Sequence, residues 1–91
     1  AYEEQVEKVE KVLTEVIETA KTDKVVLPDS AYMGVNGLES NGVNYLIYVV
    51  CNQDDRYKVN REILKRVKMA YDKAKIKIPY EQIEVHHGKD I

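Results

Sequence analysis

Few side chains in this sequence have the type and spacing to do chemistry. Asp54 and Asp55 follow Asn52 closely, which sets three oxygen-bearing side chains near one another. Such a group could hold a hard cation. However, the spacing is not that of a calcium loop, and no Glu follows where one would close it. The same residues are good helix N-caps, which is the simpler reading. His86 and His87 are adjacent. On a strand they face opposite sides and cannot converge on one metal. Ser30 and Ser40 lack a general base at a motif-like spacing, and Gly34, Gly37 and Gly42 do not form a phosphate-cradling GxGxxG. The single Cys51 has no disulfide partner and lies in an apolar run, as a buried reduced thiol would. No acid/base pair, nucleophile, metal ligand set or cofactor motif emerges, so the expectation is a protein that is not an enzyme and binds no cofactor.

The elements that carry these residues are clearer. The chain has 91 residues, which suits one domain over 1–91 with a small core. All seven aromatic residues are Tyr. The core must therefore come from Val, Ile, Leu and Ala, with Tyr at its margins where hydroxyls reach partners. No run of eighteen apolar residues is present. The chain opens on Ala1-Tyr2 rather than Met, as a piece of a longer protein would, which leaves a membrane-embedded parent open.

Residues 3–21 predict an amphipathic helix, because Val6, Val9, Leu13, Val16, Ile17 and Ala20 recur on one face. Lys24 to Leu27 reads as a short extended piece before Pro28. Tyr32 to Leu38 reads as a weak strand in which Gly34 and Gly37 hint at a bulge. Asn41-Gly42 is a strong hairpin signal. Val43 to Cys51, VNYLIYVVC, is β-branched and aromatic, as a central strand is. A second helix from about Tyr57 to Ala74 presents Ile63, Val67, Ala70 and Ala74, flanked by Leu64 and Tyr71, and Pro79 forbids its continuation. Ile83, Val85 and His87 alternate as a last strand. The order α-β-β-α-β is that of an α+β, ferredoxin-like two-layer sandwich whose first strand is missing. That strand would lie in mid-sheet. Either its flanking strands pair directly, or another copy supplies an edge.

Charge is segregated. Residues 1–23 hold seven acidic and three basic side chains, whereas residues 56–77 hold nine basic and two acidic. Two such helices side by side attract along their flanks, though exposed pairs contribute only about 0–1 kcal/mol each. A basic surface for nucleic acid is the competing use. Tyr45 and Tyr48, three apart on a strand, point to opposite faces and cannot form one stacking platform, so no nucleic acid is expected as partner.

The stretch NREILKRVKMAYDKAKIKIPYEQIEVH resembles the end of the C-terminal cytoplasmic α/β domain of the small-conductance mechanosensitive channel (MscS) family. That domain closes with a helix, then Gly-Ile, Ile/Phe-Pro, Tyr/Phe-Pro-Gln and a strand. Leu64, Val67, Lys68, Ala70, Ile76, Ile78, Pro79, Tyr80, Gln82 and Val85 fall in those places. Two residues depart from the pattern: Lys75 stands where the family has Gly, so an easy left-handed helix exit is lost, and Glu81 replaces the second Pro. Upstream, Pro28 and the Val43–Cys51 strand are similar to the same domain, as is Ala1-Tyr2 ahead of an acidic helix.

The resemblance implies a non-catalytic vestibule domain on the cytoplasmic face of the inner membrane, part of an osmotically gated channel. It implies copies of the chain as partners, commonly a heptamer, with contact to the membrane only through a preceding part. It also implies weak association or a non-native dimer for the chain alone. Glu7 and Glu10 on the first helix, with Arg61, Lys65 and Arg66 on the second, are the candidate contacts between subunits. The alternative is a regulatory small-molecule-binding module of ACT-like type, which shares the βαββαβ order.

Overall fold

A computed structural model describes residues 2–26, 28–39, 42–77 and 83–87. Helix α1, Tyr2–Ala20, forms because its apolar side chains fall on one stripe, and Val9, Leu13, Ile17 and Ala20 are buried along it. Lys21–Val26 is turn, not the extended piece that the sequence suggests. The Asp23 carboxylate accepts the Val25 N–H at 3.2 Å, and the Val26 N–H donates to the Asp23 carbonyl at 3.0 Å. An Asp just past a helix captures the following backbone in this way, and the local turn outcompetes strand formation. Val26 still reaches the core.

Strand β1, Ala31–Glu39, pairs antiparallel with β2, Gly42–Val49. The register slips between Tyr32 and Gly34 and again between Val35 and Gly37. Met33 and Asn36 are therefore the extra residues of two bulges. Gly34 takes φ +116°, a backbone that side chains rarely adopt, which explains a glycine at the first bulge. β2 is the central strand of a three-stranded sheet in the order β1-β2-β3. Tyr45, Ile47 and Val49 point into the core, and Asn44, Leu46 and Tyr48 face the other way.

A 3-10 turn, Gln53–Asp55, leads into helix α2, Arg56–Ala74. The expected side-chain cap is not made: neither Asn52 nor Asp55 bonds a backbone N–H through its side chain. The 3-10 turn supplies an alternative, in which the Asp55 N–H donates to the Asn52 carbonyl at 2.9 Å. Val59, Ile63, Val67 and Tyr71 form the buried stripe of α2, so the stripe starts one turn earlier than Ile63. Tyr45 and Tyr71 are core residues rather than margin residues, at 2% and 3% exposure. With no Phe or Trp in the chain, tyrosine is the one aromatic residue type available to fill that volume.

Strand β3, Ile83–His87, pairs with β2 in parallel, Ile47 opposite Val85. In the split β-α-β pattern the strands on either side of the central position run the same way, so direct pairing across the gap gives a parallel ladder. Of the two compensations the sequence allowed, this is the first. The fold is thus α+β, with two helices on a mixed three-stranded sheet, consistent with a ferredoxin-like arrangement. Glu84 ties the sheet across its open face: its carboxylate accepts from the amide groups of Asn44 and Asn36, the latter at 3.4 Å.

Candidate functional site

Of the residues that could have carried chemistry, Ser40 lies outside the described residues. Ser30 is buried, and its Oγ accepts the Val50 N–H at 2.7 Å and donates to the Val50 carbonyl. It closes the sheet end where β2 stops. Cys51 is buried in the core. Asp54 and Asp55 belong to the 3-10 turn. His86 is exposed, and its Nε2 lies 3.0 Å from a Glu84 oxygen. Among the described residues, no group of three or more His, Cys, Asp or Glu side chains could hold a metal ion.

The junction after α2 is built on a strained residue. Lys75 adopts φ 61°, ψ 38°, the left-handed conformation that the sequence, lacking Gly there, made difficult. The Ile76 N–H donates to the Tyr71 carbonyl at 2.8 Å, and the Lys75 N–H to the Asp72 carbonyl at 3.2 Å. These are the two bonds of a Schellman motif, and Ile76 and Tyr71 are the buried pair that accompanies it. Helix termination here is therefore driven by the burial of Ile76, which outweighs the roughly 1–2 kcal/mol cost of a left-handed Lys. Val67 is buried, while Leu64 and Val85 are half-buried. Ile78, Pro79, Tyr80 and Gln82 lie outside the described residues.

The candidate charge contacts divide in two. Glu10 is engaged within the chain, because its carboxylate accepts the Tyr32 hydroxyl at 2.7 Å and so joins α1 to β1. Burial, followed by the bond to Glu10, raises the Tyr32 pKa far above its ordinary value. Arg66 pairs with Glu62 one turn before it, at 3.0 Å. Glu7, Arg61 and Lys65 are exposed. The pairs Arg66–Glu62 and Lys68–Asp72 lie within α2, and Lys21–Glu18 joins the end of α1 to the turn after it, so none of the three spans the two helices.

Between the helices runs a groove of about 560 Å³. Val12, Val16, Ala70, Ala74 and Met69 give it an apolar lining, with Glu15 on the α1 rim and Arg66 and Lys73 on the α2 rim. The sequence shows both helices but not this groove, nor the ties made by Ser30 and Tyr32. Each depends on contacts between segments far apart in the chain.

Taken together, these features define an α+β packing module whose distinctive parts are a patterned helix surface and a fastened C-terminal junction. The family described as "Mechanosensitive ion channel MscS, C-terminal" matches residues 1–78. The chain therefore belongs to the MscS mechanosensitive channel family and corresponds to its C-terminal region. It is 31% identical over 94% of its length to an uncharacterized MscS family protein of Buchnera aphidicola subsp. Schizaphis graminum. It is 26% identical, over the same share, to a small-conductance mechanosensitive channel of Edwardsiella ictaluri. The chain spans about 30% of the length of these relatives. No solved structure matches it. Among the described residues, no helix is long and apolar enough to cross a membrane.

Proposed function

We propose that this chain is one domain, the C-terminal cytoplasmic α/β part of a longer integral membrane protein. In that protein it would serve as a vestibule and assembly element of a tension-gated channel. Its copies would stand side by side beneath the pore, on the cytoplasmic face of the inner membrane. There they would filter the ions and small solutes released under osmotic stress. The domain would do this without catalysis and without a cofactor. A heptamer is the ring the resemblance implies, with membrane contact made by the part of the protein outside this chain. The observation that carries the reading is the family match over residues 1–78.

Ring contacts would use the opposed charges of α1 and α2. Glu10 and Arg66 are already engaged within the chain, so Glu7, Arg61 and Lys65 would make most of the electrostatic contribution. The test is charge reversal in the full-length protein, with R61E, K65E and R66E combined and oligomeric mass measured in detergent as salt is raised. Several exposed pairs, each worth about 0–1 kcal/mol and repeated at every subunit boundary, should together lower the salt concentration at which the ring dissociates. An unchanged dissociation profile would remove these residues from the interface.

A further inference from the structure

The groove between α1 and α2 shares Arg66 with the ring contact but also holds Glu15, Met69 and Lys73, which the ring contact does not involve. Its two rims are oppositely charged, and its lining is apolar. Met69 lines it at 61% exposure, and with Val12, Val16, Ala70 and Ala74 it forms a contiguous apolar patch rather than a lone surface residue. Glu15 and Lys73 line it from opposite helices, and neither makes an ion pair with a described residue.

We infer that this groove is a self-complementary docking surface for a second copy of the chain, related to the first by a two-fold axis running along the groove. The charge pattern selects that axis. Rotation about the groove direction lays each acidic α1 over the other copy's basic α2, so Glu15 comes over the side that bears the partner's Lys73. Rotation about the perpendicular in-plane axis would lay α1 over α1 and α2 over α2, which sets like charges together. An isologous contact repeats every pair twice, so small pairwise terms count double. The Met69 side chains of the two copies enter the shared apolar space above Val12, Val16 and Ala70. Met suits such a seat because its unbranched thioether adapts to an irregular gap.

A two-fold contact closes after two copies. It therefore joins two free chains, or two separate assemblies, and does not extend a ring. It is independent of the channel reading. Association is expected in the micromolar range or weaker, as for contacts below the standard interface size.

Sedimentation equilibrium on the chain, with E15K, K73E, the double variant E15K/K73E, and M69E, tests the inference. The expected result is a reversible monomer–dimer equilibrium that weakens with salt. E15K and K73E should each reduce association about tenfold, since each removes an attraction and adds a repulsion at two equivalent places. The double variant should restore it, because the exchanged charges meet again across the two-fold axis. M69E should abolish it. All three substituted positions are on the surface, and far-UV circular dichroism reads whether each of the four variants folds. A monomer at every concentration would overturn the inference. So would a dimer indifferent to E15K and K73E, a double variant no better than the singles, or a species larger than two. A monomer whose groove takes up an apolar dye, with the uptake lost in M69E, would also overturn it and give the groove to a small apolar ligand.

Discussion

Two residues, Tyr32 and Lys75, show how single positions hold this fold together. Tyr32 ties β1 to α1 through Glu10. Tyr32→Phe keeps the ring and removes the bond, so it should cost about 1 kcal/mol in urea denaturation. The bond also has a pH signature. An unfolded Tyr loses its proton near pH 10, whereas the folded chain holds the Tyr32 proton well beyond that. The unfolded state then binds fewer protons, so the contribution of Tyr32 is complete below pH 10 and declines as pH rises above it. Tyr32→Phe should flatten that alkaline decline, and an identical slope in the two proteins would show that Tyr32 is not its source. Lys75 illustrates the opposite balance, a local cost accepted for a buried neighbour. Lys75→Gly should raise stability by about 1 kcal/mol, because glycine enters the left-handed region without the side-chain penalty. Thermal unfolding of the pair checks this, and a loss of stability would mean that the Lys75 side chain contributes something the backbone geometry does not show.

At the scale of elements, what the sequence made legible was what has a period. α1 and α2 were readable because apolar residues recur every three or four positions, and β2 because a nine-residue run with six β-branched or aromatic residues follows a strong turn signal. The ends were less legible. Asp23 turned the chain where an extended piece was expected, and Asp55 entered α2 without a side-chain cap, both decided by local hydrogen bonds that have near-equal competitors. Burial of Tyr45 and Tyr71 was missed because residue type alone places Tyr at a margin, whereas the absence of Phe and Trp forces it inward. The bulged edge strand was legible from its glycines, but the register slips themselves were not. β2 is the element on which the rest depends, since it pairs on both sides and is covered by the helices. Ile47→Ala at its centre, fully buried, should cost about 2–5 kcal/mol. A stability change under 1 kcal/mol in chemical denaturation would mean that the core collapses around the missing atoms.

For the whole molecule, the charge split was plain in the sequence, and its use depends on assembly. The structure shows that part of it is satisfied within the chain, at Arg66–Glu62 and Glu10–Tyr32, and that the helix surface retains charges of both signs around an apolar groove. The C-terminal anchors that carried the family resemblance divide in the same way. Val67 and Ile76 are seen in the core, and the Ile78–Gln82 stretch lies outside the described residues. The central claim, that this is a domain of a tension-gated channel, is tested most directly by recording from the full-length protein. It would be reconstituted in lipid vesicles and held in an excised patch under graded suction. Reproducible conductance steps that appear as suction increases, and are absent from protein-free patches, are the predicted result. A protein that inserts into the vesicles but passes no current up to the tension at which the patch ruptures would contradict it.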